Sequence, residues 1–228
     1  INFKAMKGQT IGVIGGTGSG KSSLVNLIPR LYDATQGEVL VDGVNVKDYD
    51  IEALRNKVGI VMQKAVLFKG TIRENMWMGK KGATDEQIDE ALEISQSKEF
   101  VDSKQGRLDY VIEQGGKNLS GGQRQRLTIA RAIVRKPDVL ILDDSASALD
   151  FATDAALRKA IRGMNNSPTV FIVSQRAASL MYADLIIVLD DGQVAGMGTH
   201  DELLANCEVY KEIYESQFKK ADSEGGVA

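Results

Sequence analysis

The 228-residue sequence predicts an α/β protein built on a mostly parallel sheet, with an antiparallel β element and an inserted α-helical subdomain. Short runs rich in Val and Ile recur between helical stretches. Two pairs of runs fold back as hairpins, and the middle third reads as helix. Those observations fix the class.

The runs are Thr10 to Ile14, Val58 to Val61, Val139 to Leu142, Thr169 to Val173 and Leu185 to Leu189. Apolar on both faces, they suit strands buried between layers of helix, the usual condition of a parallel sheet. Phe3 reads as a further strand residue of the core, and Ser23 to Leu31 as the helix after the first run. Glu38 to Val41 meets Val44 to Val46 across Asp42-Gly43, and Ile187 to Leu189 meets Gln193-Val194 across Asp190-Asp191-Gly192. Such turn residues tolerate the left-handed backbone that a tight hairpin needs. From Thr84 to Val134 no strand-like run appears, and Thr84-Asp85-Glu86-Gln87 is a capping box opening the run to Ser95. The final helical stretch, Val209 to Lys220, carries Val209, Ile213, Tyr214 and Phe218 at helical spacing. The expected organisation is a core split into residues 1–75 and 136–220, a helical subdomain at 76–135, and a frayed tail at 221–228.

Composition removes several function classes. Hydrophobic residues make up 43% and charged residues 26%, ordinary globular usage with enough apolar mass for a sizeable core. Net charge is -3, so a nucleic-acid partner, which requires a basic excess, is not expected. One cysteine, Cys207, leaves no internal disulfide and no thiolate cluster. The single histidine, His200, leaves no multi-His metal site; it reads as a helix-start residue, with Cys207 and Trp77 as packing or surface residues. No apolar run reaches the ~18–20 residues that span a bilayer. The chain opens on Ile1 without a signal-peptide pattern and is read as a piece of a longer polypeptide.

Gly15-Gly16-Thr17-Gly18-Ser19-Gly20-Lys21-Ser22 fits the pattern GxxxxGK[ST], after one predicted strand and before a predicted helix that Ser23 opens. Glycines let the backbone turn its N–H groups inward around a phosphate at the positive end of a helix. Lys21 then reaches the outer phosphate oxygens, and the Ser22 hydroxyl suits Mg²⁺. Chance occurrence in a chain of this length is on the order of 1%. The reading is a nucleoside-triphosphate site with Mg²⁺ on a P-loop NTPase (RecA-like) core. Val139 to Leu142 ends in Asp143, an acid at the end of a buried strand, placed to hold Mg²⁺ through water.

Leu119-Ser120-Gly121-Gly122-Gln123, followed by Arg124-Gln125-Arg126-Leu127, resembles the signature of ATP-binding cassette (ABC) ATPases. Its Ser-Gly-Gly opens a helix, where exposed N–H groups bind an anion. The resemblance implies that this segment caps the γ-phosphate of ATP held by another subunit, in a head-to-tail dimer around two ATP molecules. It further implies that Gln63 touches Mg²⁺ and the attacking water. Ser147, Ala148, Leu149 and Asp150 stand where the family communicates across the dimer, and Glu113 to Gly116 where exporters carry a cross-talk loop. Phe68 to Asn75 is similar to the segment that meets the coupling helices of a fused transmembrane domain. The implied partners are therefore a second nucleotide-binding domain and a membrane domain, and the implied location is the cytoplasmic face of a membrane.

Two residues depart from the family pattern. Asp144 stands where a glutamate normally polarises water, and a carboxylate one methylene shorter falls back by about 1.5 Å. Misplacement on that scale costs on the order of 100-fold in rate. Gln175 stands where family members place a histidine against the γ-phosphate; its amide donates a hydrogen bond but carries no charge and shuttles no proton. Together they are read as the degenerate half of a heterodimeric bacterial-type exporter, with an intact signature serving the partner's site and low activity in the isolated chain. A catalytically active homodimeric ATPase and a non-hydrolysing nucleotide-sensing module remain the alternatives. The family's adenine-stacking aromatic is expected upstream of Ile1.

Overall fold

The computed structural model describes residues 1–145 and 148–224, with side chains described to Gln217. In chain order its strands and helices begin with β1 (Thr10–Gly15), α1 (Lys21–Asn26), β2 (Leu40–Val41), β3 (Val44–Asn45), α2 (Ile51–Lys57) and β4 (Val58–Val61). There follow β5 (Gly70–Thr71), α3 (Ile72–Trp77), α4 (Asp85–Ile94), α5 (Lys98–Asp102), β6 (Val111–Ile112), α6 (Gly121–Ile133) and β7 (Val139–Asp143). The chain continues with α7 (Phe151–Arg162), β8 (Thr169–Val173), β9 (Leu185–Asp190), β10 (Gln193–Gly198), α8 (His200–Asn206) and α9 (Glu208–Glu224). It divides into two compact units, Ile1–Leu54 with Thr169–Ala228, and Arg55–Pro168.

In the first unit the strands run in the order β10-β9-β1-β8. β1 lies parallel to both neighbours, with Thr10 opposite Val170 and Ile11 opposite Leu185. Every residue of β1 is buried, as its unbroken apolar run demands. β9 and β10 form the antiparallel hairpin across Asp190 to Gly192, with a register shift between Val194 and Gly196. Residues before β1 join the unit through Phe3, whose ring meets Phe171 edge-on at 6.2 Å. Phe3 is 36% exposed and lies outside any strand, so the expectation of a core strand there is corrected. The helix expected at Ser23 to Leu31 is also corrected. It starts at Lys21, the first residue free of the glycine loop, and yields to turns after Asn26. α8 starts on the Thr199 cap, and His200 Nδ1 lies 2.8 Å from the hydroxyl of fully buried Tyr210 on α9. Burial pushes the Tyr210 phenol up to about 12, so it stays protonated at neutral pH. The helix persists to Glu224, past the expected frayed end at Lys220.

In the second unit β4 and β7 pair in parallel from Val58 opposite Val139 to Val61 opposite Leu142. Asp138 donates its N–H to Lys57 O and accepts from Lys57 Nζ at 3.1 Å, fixing where the pair begins. The helical segment packs α3, α4 and α6 around Ile72, Met76, Ile88, Leu92 and Leu127, all fully buried. Burying each such side chain contributes roughly 1.5–3 kcal/mol. α3 and α4 each begin on a complete capping box, Thr71 with Glu74 and Thr84 with Gln87. Trp77 closes the connection between them by donating Nε1–H to Ala83 O at 3.0 Å. One expectation fails in this segment: β6 pairs antiparallel with β5, although the sequence pattern predicts no strand between Thr84 and Val134. Two residues held by partners 40 and 42 positions away leave no periodicity to read. Among the described residues, no helix is long and apolar enough to cross a membrane.

Candidate functional site

The residues expected to hold phosphate, Mg²⁺ and water fall at the carboxyl ends of two parallel strand pairs, one in each unit. In the first unit these are the ends of β1 and β8. Gly15 closes β1, and a Cβ there would stand 2.1 Å from Leu189 O and 2.6 Å from Ser19 Oγ, so glycine is required. Gly16, Thr17 and Gly18 are exposed, Ser19 is buried, and Gly20 caps α1 in the left-handed conformation at φ 92. Gly20 gives the first turn no side-chain acceptor, the arrangement in which a bound anion replaces a capping oxygen. A Cβ on Gly16, Gly18 or Gly20 would meet nothing within 4 Å. Lys21 is 9% exposed and folds its ammonium back onto the loop, donating to Gly15 O at 3.0 Å and Gly16 O at 2.6 Å. Ser22 and Ser23 are exposed on the first turn of α1. An open, glycine-walled loop centred on a lysine ammonium fits a polyphosphate.

Gln175 sits two residues beyond β8, exposed at the same end of the sheet as the loop. Ser174 N donates to Val13 O at 3.1 Å, tying this segment to β1. The Gln175 carbonyl accepts from Gln217 Nε2 of α9 at 2.7 Å, a contact that no motif marks in the sequence.

In the second unit the carboxyl ends of β4 and β7 bring together two residues far apart in the chain. Gln63 Nε2 donates to Asp144 Oδ2 at 3.1 Å. Asp143, the last residue of β7, is buried, while Asp144 turns out of the strand with φ 46. A non-glycine residue there carries backbone strain, a cost that folded proteins concentrate at sites of function. Taken by chemistry alone, the Ser22 hydroxyl of the first unit and the Gln63 amide and Asp143 carboxylate of the second are each hard oxygen donors, the kind that suits Mg²⁺ and not a thiophilic metal.

Ser120 caps α6. Its Oγ accepts from Gln123 N at 3.2 Å, and Gln123 Oε1 accepts from Ser120 N at 3.1 Å. Leu119 is buried, and its carbonyl accepts from Arg124 Nη1 at 2.7 Å, which fixes how the chain enters the helix. A Cβ on Gly121 would lie 4.0 Å from Arg124 Nη2, and one on Gly122 3.4 Å from Ala148 O. Asp150 caps α7, accepting from Thr153 N at 2.9 Å and from Thr153 Oγ1 at 2.8 Å; these bonds hold its carboxyl below the usual range. Ala148 is exposed and Leu149 buried, whereas Ser147 lies outside the described residues.

The sequence pattern of the ABC transporter family matches residues 1–147. The chain is 45% identical over 224 residues to the uncharacterized ABC transporter ATP-binding protein YfiB of Bacillus subtilis (strain 168), covering 98% of this chain and 39% of that protein. It is 40% identical over 217 residues to a putative multidrug export ATP-binding/permease protein of Staphylococcus aureus (strain NCTC 8325 / PS 47), covering 95% of this chain and 38% of that one. Among solved structures, a bacterial Atm1-family ABC exporter with ATP bound superimposes with a TM-score of 0.89 at 32% identity, over 94% of this chain and 38% of the other. The chain thus spans about two fifths of the length of the relatives it matches. The glycine loop, the strand-end acids and the capped Ser-Gly-Gly turn belong to a chain of the ABC transporter family.

Proposed function

We propose that the chain is the nucleotide-binding domain of an exporter, that it binds MgATP, and that its own site hydrolyses ATP slowly. The observation carrying this reading is the Gln63–Asp144 contact at 3.1 Å. It joins the residue expected to touch the attacking water to the carboxylate expected to polarise it, and that carboxylate is an aspartate. In the proposed site the N–H groups of Gly16 to Lys21 and the Lys21 ammonium bind the triphosphate, with Ser23 beside them. Ser22, Gln63 and Asp143 hold Mg²⁺, which neutralises phosphate charge when bound. Asp144 accepts a proton from water, and Gln175 donates a hydrogen bond to the terminal phosphate without supplying charge.

Leu119 to Gln123 would then serve a second nucleotide-binding domain, with Ser147 to Asp150 relaying between the two sites. Residues 76–135 form the signature-bearing subdomain in this scheme, and residues 1–75 and 136–220 the ATP-binding core. A transmembrane domain of the same or an associated polypeptide would receive the motion at the cytoplasmic face of the membrane. The permease named in the Staphylococcus relative supports that assignment.

ATPase rate against protein concentration tests the reading, comparing the native full-length protein with an Asp144→Glu, Gln175→His double variant. The expected native protein binds ATP and barely turns it over, while the double variant gains on the order of 100-fold in rate. Brisk, cooperative turnover by the native protein would identify a self-sufficient homodimer instead. Binding without turnover in both proteins would point to a nucleotide sensor.

A further inference from the structure

We propose that Gln217 is a positioning residue for Gln175, an amide clamp through which α9 sets the backbone at the β8 end of the site. The proposal rests on the nucleotide-site reading above.

The segment after β8 has few restraints of its own. Gln175 and Arg176 are exposed, and no strand or helix claims their peptide groups before the short 3₁₀ turn Ala177–Ser179. Backbone donors and acceptors in such a stretch need partners from elsewhere. Ser174 Oγ accepts from Arg176 N at 2.9 Å. Two more bonds come from one side chain: Gln217 Nε2 donates to Gln175 O at 2.7 Å, and Gln217 Oε1 accepts from Ala177 N at 2.9 Å. A primary amide does this because it carries a donor and an acceptor side by side. The two peptide groups that flank Arg176 are thereby held, and the first of them begins at the Gln175 carbonyl, directly beside the Cα that carries the Gln175 side chain.

α9 is itself well seated. Tyr210, Tyr214 and Gln217 follow a spacing of four and then three, which places them on one helix face. Tyr210 is fully buried with its hydroxyl 2.8 Å from His200 Nδ1, and the Tyr214 ring lies 5.3 Å from the His200 ring. The face that anchors the helix therefore ends on the residue that grips the loop. Because the grip is on the backbone at 175, it would position a histidine there as it positions glutamine.

The test uses the native full-length protein with Gln217→Met, which keeps the bulk and removes both bonds, and Gln217→Glu, which keeps only the acceptor. Residue-resolved amide exchange at Ala177 reads the clamp, and ATP and ADP affinities read its consequence. For Gln217→Met the expectation is faster exchange at Ala177, unchanged ADP affinity, and an ATP-over-ADP preference reduced by about 10-fold. Gln217→Glu should keep the Ala177 protection and lose part of the preference. General unfolding would weaken both nucleotides alike and move the thermal midpoint, so a selective loss of ATP preference is what a merely structural role would not produce. Unchanged exchange at Ala177 in Gln217→Met would overturn the clamp. Faster exchange with an unchanged ATP-to-ADP ratio would overturn the positioning role. Native protein that binds neither nucleotide would sink the nucleotide-site reading and the positioning role with it, while the exchange result would still decide whether the clamp exists.

Discussion

The carboxyl ends of the two strand pairs are built on different principles. At the end of β1 the structure is made of backbone: glycines at 15, 16, 18 and 20, a left-handed cap, and a lysine turned onto main-chain carbonyls. At the end of β4 and β7 it is made of side chains: an amide and a carboxylate 3.1 Å apart, on exposed and half-buried residues. Shape made from backbone survives side-chain drift, whereas a side-chain contact shifts with a single methylene. On the proposed reading, this is how nucleotide binding would be kept while hydrolysis slows.

The contrast can be broken most strongly at Lys21. Lys21→Met removes a nearly buried ammonium and its charge-assisted bonds, and ATP affinity should fall about 100-fold by calorimetry with the fold retained. Gly15→Ala attacks the same end through the main chain. The new Cβ would collide with Leu189 O, and denaturant unfolding should show a loss of about 2 kcal/mol. Ser120→Ala tests the second unit, where a cap and not a phosphate loop fixes the turn. It should cost about 1 kcal/mol, with Ser120→Asn recovering most of it.

The smallest effect is the acid limb of stability at Asp150. Its carboxyl is held below the usual aspartate range, first by the Thr153 N–H and then by the Thr153 hydroxyl. A depressed carboxylate contributes stability that is present above its unfolded value and lost as pH falls through its folded one. Asp150→Asn keeps a capping oxygen and removes the titration. Its unfolding free energy should therefore lose less than the native protein's below about pH 4.

The long strands were legible to within a residue, because Val139 to Leu142 and Thr169 to Val173 are apolar on both faces and bounded by polar turns. The phosphate loop and Ser120 were legible because their chemistry needs fixed residue types at fixed spacing. What escaped depended on distant partners. β6 exists through β5, and α1 is cut short by turns that no breaker residue announces before Pro29. Gln217 resembles any polar helical position until α9 is set against Ala177. The apolar spacing in that helix pointed to Val209 and Ile213, yet the fully buried anchor is Tyr210.

Trp77 gives the molecule a built-in optical probe. It is the chain's single tryptophan, its indole N–H is tied to Ala83 O, and the residue is 40% exposed. Emission excited at the red edge of the absorption band therefore comes from one place, the joint between α3 and α4. A fluorescence melt follows the opening of that helical segment, while circular dichroism follows the whole chain. Any gap between the two midpoints measures directly how far the helical segment unfolds on its own.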